Sequence, residues 1–465
     1  MELDVIVIGA GISGMICGLR AAQGGLRVAV LEKSPQERYI CNSRLTGGIM
    51  HCCLTDVTQN PDDLYAKILE VTGGNARPDL ARAIANDGLR TIRWMQSVGI
   101  RFIKVPFEDI SFMLSPPTLT PQGRKWEGRG GDVMLRTLEA ELNKLGSAVF
   151  RGYRATQLLT RDGHVIGTEV TTADGAKTTL TASTAIVIAD GGFQANEQLT
   201  SECISPRPAG VFQRNAGTGT GDGLTMARSV GAATSDLRGF YGHVLSRDAF
   251  NNESLWPYPW LDFVCSAGIV VRSHGRRFAD EGLGGIHLAN EIARQDDPLD
   301  CFAIMDHKIW QERGSFGLLP PNPLMEKAGG TLLQGPSLES LARNAGLDAS
   351  SLMIEVERYN AAVSTARTGS LVPPRTSSDA LPAYPIQQAP FYAIPCVAGI
   401  TYTMGGILIT GDGQVLSETG STIPGLYAVG CAAGGLEGGD HKGYVGGLMK
   451  SAVTGLRAAE HLLAS

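Results

Sequence analysis

The chain has 465 residues, 43% of them hydrophobic, with a formal net charge of −6. That length can bury a full core and suggests two or three domains, while the acidic balance gives no global attraction to nucleic acid or to an anionic membrane. No apolar run approaches a membrane span and the first strand begins at once, so no signal peptide is expected and the expected location is the cytoplasm. Nine cysteines lie scattered, with no C-x-x-C pair and no haem-attachment signature; most are expected to be reduced and structural, and no metal site is expected.

The stretch VIVIGAGISGMICGLRAAQGGLRVAVLEK (5–33) reads as an apolar strand over 5–8, then Gly9, Gly11 and Gly14 at G-x-G-x-x-G spacing, a helix through Ala21 and Ala22, and a second strand over 26–31 that ends at Glu32. Such a unit lets the backbone approach a pyrophosphate whose charge meets the helix N-terminal amides. It also sets a carboxylate, here Glu32 with Lys33 beside it, against ribose hydroxyls. Leu80, Ile84, Ile92 and Met95 predict a helix over 78–97, and Met134, Leu135, Leu138 and Leu142 another over 132–145. Residues 164–182 alternate, turn at Asp174-Gly175 and return, so a β-meander precedes the apolar strand over 185–189.

From about 235 the texture changes. Trp256, Tyr258, Trp260 and Phe263 crowd together with prolines, helical stretches follow at 286–294 and 349–366, and Pro373-Pro374 opens a loose segment to about 390. The expected division is a nucleotide-binding domain over 1–235, an inserted domain over 236–380, and completion of the first domain over 381–465. The glycines cluster at 9–14, 128–131, 191–192, 217–223, 405–406 and 434–447, places where backbone must approach something closely.

Six further motifs occur in order: NSRLTGGIMH (42–51), IVIADGGFQAN (186–196), GTGTGDGLTMA (217–227), GRRFADEG (275–282), YTMGGI (402–407) and GLYAVG (425–430). With the N-terminal fingerprint they resemble the FAD-dependent fumarate reductase/succinate dehydrogenase flavoprotein superfamily over nearly the whole chain. Within it the likeness is greatest to tricarballylate dehydrogenase-like and 3-ketosteroid dehydrogenase-like members. The resemblance implies an α/β fold: a Rossmann-like FAD-binding domain with a β-meander, plus an inserted α+β cap. It implies hydride transfer between flavin N5 and a CH–CH or C=C bond beside a carbonyl or carboxylate of a small substrate, with an external electron donor or acceptor. The residues it brings to FAD, beyond the three fingerprint glycines, Glu32 and Lys33, are Asn42, Ser43, Thr46, Gly47, Gly48, Ala189, Asp190, Gly191, Asp222, Gly405, Gly430, Gly446, Gly447 and Leu448.

The departures from that family shape the substrate expectation. Cys431 follows Gly430 where an acid usually stands, leaving Glu437 or a backbone amide to compensate. The histidine that links FAD covalently in one branch is missing from YICNSRLTGG; Cys41 is read as an inert thiol and FAD as noncovalent. No arginine follows Arg277-Phe278-x-x-Glu281 at the matching place, Thr401 stands where a histidine precedes Tyr-Thr-Met-Gly-Gly, and Tyr444 stands where an arginine precedes the late Gly-Gly. A tyrosine there is similar to the late motif of 3-ketosteroid dehydrogenases, in which a phenol and a glycine amide polarise a ketone, so Tyr444 with the Gly446 or Gly447 amide takes that role. His243, in FYGHVLS, resembles a substrate histidine; His287, His441 and Lys442 are acid/base or anion-binding candidates; Arg214 is placed to bind a carboxylate. Blander readings stay open for each: a tyrosine on the flavin edge, a core histidine, a salt-bridged arginine. Two other functions also stay open: a tricarballylate-type dehydrogenase anchored by Arg214, His441 and Lys442, or a flavin electron carrier with no catalysis of its own.

Overall fold

The computed structural model describes residues 2–105, 109–117, 123, 125–314 and 323–464. Its first sheet is built around the buried strand Leu3–Ile8, which pairs in parallel with Val28–Glu32 on one side and Lys177–Ile188 on the other. Ala148–Arg151 and Thr422–Ala428 extend it in parallel, and Gln414–Leu416 closes one edge. Val5, Ile6, Val7, Ile186, Val187 and Leu426 are fully buried. Each such side chain contributes roughly 1.5–3 kcal/mol, which accounts for the unbroken apolar runs of these central strands. The expected meander is present as Tyr153–Arg161, His164–Thr172 and the start of Lys177–Ile188.

Two helices meet beneath this sheet. Ile12–Gln23 packs along Gly447–Ala464, and the crossing is close because Gly455 is bare: a Cβ there would sit 2.4 Å from the Ser13 carbonyl oxygen. The helices predicted over 78–97 and 132–145 form as Pro78–Ser97 and Gly130–Lys144.

The second sheet is mainly antiparallel. Phe240–Ser246, Phe391–Thr403, Cys301–Asp306 and Ile269–Val271 lie side by side, with helices Asp262–Ala267, Gly285–Ala293 and Ala349–Ser364 in the same half of the molecule. Texture placed 381–465 with the nucleotide domain, yet Phe391–Thr403 hydrogen-bonds within this second sheet, and the chain regains the first sheet at Gln414. Nearly every residue of that strand is buried, so its sequence carries no face-specific alternation that would show which sheet it joins. Its end is tied to the loop that follows Lys177–Ile188, where Thr403 Oγ1 accepts the Phe193 amide at 3.2 Å.

Candidate active site and cofactor cradle

The loop after the first strand turns at Gly9, whose φ is +108°, under the Ala189 carbonyl; a Cβ there would lie 2.5 Å from that oxygen. A Cβ on Gly14 would sit 2.0 Å from the Gly9 carbonyl oxygen, so this glycine lets the helix start tight against the turn. At Gly11, by contrast, a Cβ would meet only Ser43 Oγ at 3.4 Å, which leaves open space over the helix N-terminus. Ser43 Oγ also accepts the Ile12 amide at 3.0 Å.

Two cavities flank this helix start. The smaller, about 50 Å³, is lined by Gly9, Glu32, Lys33, Cys41, Arg154, Asp190 and Asp222, among others. Asp222 pairs there with Arg154 at 2.8 Å and with Lys33 at 3.7 Å. Burial raises the Glu32 carboxyl above its usual range and pushes Asp190 up to about 6. Asp190 gives one oxygen to the Gly223 amide at 2.7 Å, while the other is buried without a partner. The larger cavity, about 250 Å³, is floored by Asn42, Ser43, Thr46, Gly47 and Gly48 and by Gly447, Leu448 and Ser451 at the start of the C-terminal helix. Arg44, buried against Asp132 and the Tyr39 ring, pins the Asn42–Leu45 turn, and Asn42 ties it to the Thr401 carbonyl and the Ala216 amide.

The opposite wall of the larger cavity is aromatic. Tyr241 and Tyr444 stack with ring centroids 4.0 Å apart, and Trp256, Tyr258, Trp260 and Tyr402 complete it. Arg214 enters this wall 7% exposed, with Nε donating to the Pro257 carbonyl at 3.0 Å and Nη1 to Thr401 Oγ1 at 2.8 Å, beside the Tyr258 and Trp260 rings. Among the described residues no carboxylate pairs with it. A buried cation without a counter-charge is costly unless a ligand anion supplies one.

Tyr444 Oη lies 3.4 Å from His51 Nε2, and His51 Nδ1 accepts the Leu54 amide at 3.1 Å. Burial pushes the His51 pKa down to about 4, so the ring is neutral with its proton on Nε2. Tyr444 is therefore the acceptor in that contact, and its hydroxyl also engages Tyr241, on which its ring stacks.

Several expected residues lie elsewhere. A Cβ on Gly405 would meet the Asp236 carbonyl oxygen at 2.2 Å and one on Gly430 would meet Ser13 Oγ at 2.4 Å; both glycines serve packing rather than line a cavity. Gly446 packs on the His51 carbonyl, and its amide donates to Glu437. Glu437 does not replace the missing acid at the cradle, because Tyr402 Oη, the Val445 and Gly446 amides and Lys450 occupy it. Cys431 itself lines the larger cavity, its thiol pushed up to about 11 by burial. His287, His441 and Lys442 gather together outside both cavities: His441 is exposed, Lys442 Nζ donates to the Gly439 carbonyl, and burial holds His287 below its usual range. Arg277 and Glu281 form a fully buried pair in the inserted half of the chain.

The geometry also adds residues that the sequence reading did not single out. Tyr241 was visible as the partner two places before His243, and His51 closes the NSRLTGGIMH motif. Asp262, 2.6 Å from His243 Nδ1, gave no signal.

A glycine turn that opens onto a helix N-terminus, with an acid-lined pocket on one side and a glycine-floored chamber on the other, fits FAD, and together they define a flavoprotein oxidoreductase. The chain belongs to the FAD-binding domain family, whose model matches residues 4–444. It is 24% identical to the fumarate reductase (cytochrome) of Shewanella frigidimarina over 95% of this chain and 74% of that protein. It is 25% identical to the 4-oxocyclohexanecarboxylate 2-dehydrogenase of Sinomonas cyclohexanicum over 92% of this chain and 87% of that one. Among solved structures, 3-ketosteroid Δ1-dehydrogenase from Sterolibacterium denitrificans superposes with a TM-score of 0.74 at 21% identity, covering 100% of this chain and 99% of that one, and so shares the fold. By class the chain is an FAD-dependent oxidoreductase acting on CH–CH groups. None of the helices in the described residues is long and apolar enough to cross a membrane.

Proposed function

We propose that the larger cavity takes a compact carboxylate with an apolar body and that the chain moves hydride across the CH–CH or C=C bond beside that carboxylate. The observation that carries this reading is Arg214, a buried guanidinium with no acidic partner among the described residues, set in an aromatic wall. At about 250 Å³ the cavity falls below the roughly 300–1,000 Å³ of pockets that enclose drug-sized ligands. It must also share its floor with a flavin ring, which favours a small substrate over a steroid. A tricarboxylate is disfavoured because His441 and Lys442, two of its three expected anchors, lie outside the cavity.

When bound, FAD supplies hydride transfer, with its adenosine end at Glu32, Lys33 and Asp222 and its ring end at residues 42–48 and 447–448. The protein's own residues do the rest. Arg214 holds the carboxylate, the aromatic wall orients the apolar body and excludes water, and Tyr444 donates a hydrogen bond to a substrate oxygen, prepared by the His51 Nε2–H contact. A second reading, a ketone held by Tyr444 in place of a carboxylate, is favoured by that same contact. Burial raises the Cys41 thiol to about 11, which keeps it protonated and supports noncovalent FAD. Electrons pass to or from a separate donor or acceptor, since no second dinucleotide fingerprint occurs in the sequence. Nine unpaired cysteines support a reducing compartment, the cytoplasm.

Binding of cyclohexanecarboxylate and of its uncharged carboxamide, followed by perturbation of the flavin spectrum, tests the reading. The carboxylate should bind and the amide should not, and Arg214→Met should weaken the carboxylate on the order of 100-fold. Equal binding of acid and amide, untouched by the substitution, would move the substrate to the ketone reading.

A further inference from the structure

The carboxylate-binding reading leaves unused a line of acid–base groups behind the cavity wall. Tyr241 and His243, two positions apart on Phe240–Ser246, lie with ring centroids 5.2 Å apart. His243 Nδ1 lies 2.6 Å from Asp262 Oδ2, and Nε2 lies 3.0 Å from Tyr241 Oη. An ionised carboxylate only accepts, so the imidazole proton sits on Nδ1 and Nε2 is left to accept the Tyr241 hydroxyl.

The line is held from every side. Asp262 Oδ1 takes the Val244 amide at 2.9 Å, and the start of the nine-residue helix Gly285–Ala293 packs so closely that a Cβ on Gly285 would lie 1.9 Å from Asp262 Cγ. The N-terminal end of a helix favours negative charge there. Trp260 stacks on His243 with centroids 4.2 Å apart, and burial holds His243 below its usual range against the opposing pull of Asp262, so the ring is neutral at pH 7. Arg214 faces both Tyr241 and His243, and Tyr258, Tyr444 and Asp262 also face Tyr241. Among the described residues, Tyr241 is the one cavity-lining phenol that touches a histidine backed by a carboxylate.

We propose that Tyr241 is the catalytic residue that exchanges a proton with the substrate carbon, with His243 as its proton store and Asp262 as the positioning residue behind both. This rests on the reading that the cavity binds a CH–CH substrate. In the oxidative direction the C–H bond next to the carboxylate breaks, its proton joins Tyr241 Oη, and the phenol's former proton moves to His243 Nε2, giving an imidazolium paired with Asp262. The neighbouring carbon loses hydride to oxidised FAD, and a C=C bond forms. Reduction runs the same transfers backwards, with reduced FAD as the hydride source.

Two measurements test it on the holoenzyme. Nitrogen-15 NMR of His243, assigned by its loss in His243→Gln, should show the Nδ1-protonated tautomer and, in Asp262→Asn, a lower pKa. An Nε2-protonated ring, or a pKa that ignores Asp262, overturns the relay without any substrate. In stopped-flow reduction or oxidation of the flavin, Tyr241→Phe and His243→Gln should slow the step roughly 100- to 10,000-fold with substrate affinity unchanged. Asp262→Asn should move the pH limb of the rate to lower pH. Tyr241→Phe at the wild-type rate overturns the proposal. A wild type unchanged by every carboxylate and ketone overturns the CH–CH reading instead, and the tautomer result still decides the relay.

Discussion

At the residue scale the site is governed by what burial does to polar groups. His51 is 6% exposed, accepts a backbone amide, and has its pKa pushed down from 6.5 to about 4. The unfolded chain binds a proton there between those values and the folded one does not. The contribution of His51 is therefore complete above pH 6.5 and is lost as pH falls from 6.5 toward 4, a difference of ~3 kcal/mol over the window. His51→Gln should shrink the gap between urea midpoints measured at pH 7.5 and pH 5; an unchanged gap would mean that His51 is not the titrating group. Arg214, Tyr444 and His243 were legible in the sequence because arginine, tyrosine and histidine stood beside recognisable glycine motifs. Asp262 was not, since its role arises from a helix start that arrives from over twenty residues further along the chain, at a glycine with no side chain to announce it.

At the element scale, the cofactor cradle proposed for the N-terminal strand, glycine turn and helix sets a steric requirement. Gly14→Ala forces a Cβ to within 2.0 Å of the Gly9 carbonyl oxygen and 3.1 Å of Ala189 Cβ, so the helix start must shift away from the turn. The variant should purify with a much lower ratio of flavin to protein absorbance and bind added FAD at least about 10-fold more weakly, a cost of about 1.4 kcal/mol or more. Gly369→Ala, where nothing lies within 4 Å, should bind FAD like the wild type. If both variants retain flavin equally, the tight helix start is not what holds it. Helices such as Pro78–Ser97 were readable because one face repeats every three to four residues. Which sheet Phe391–Thr403 joins was not readable, because a strand buried on both faces gives no sign of it.

At the scale of the whole molecule, the two sheets meet where Phe391–Thr403 ends, so Thr401 and Tyr402 reach the cavity from the second sheet while Gly447 and Leu448 reach it from the helix under the first. Where the family resemblance implied a histidine, Thr401 braces Arg214, which brings a cation to the cavity wall from a different segment. Arg214 itself stood out beside its glycine run, but its contact with Thr401 did not, because the two residues are 187 positions apart. The central claim is that this one arginine selects the substrate of a CH–CH oxidoreductase. The most direct measurement is an anaerobic titration of the visible flavin band, oxidised against saturated carboxylates and prereduced against unsaturated ones, in wild type and Arg214→Met. The account predicts that a compact carboxylate bleaches or restores the band, and that the variant needs on the order of 100-fold more of it. A flavin that responds to neither panel in either redox state, or that responds alike in both proteins, would contradict it.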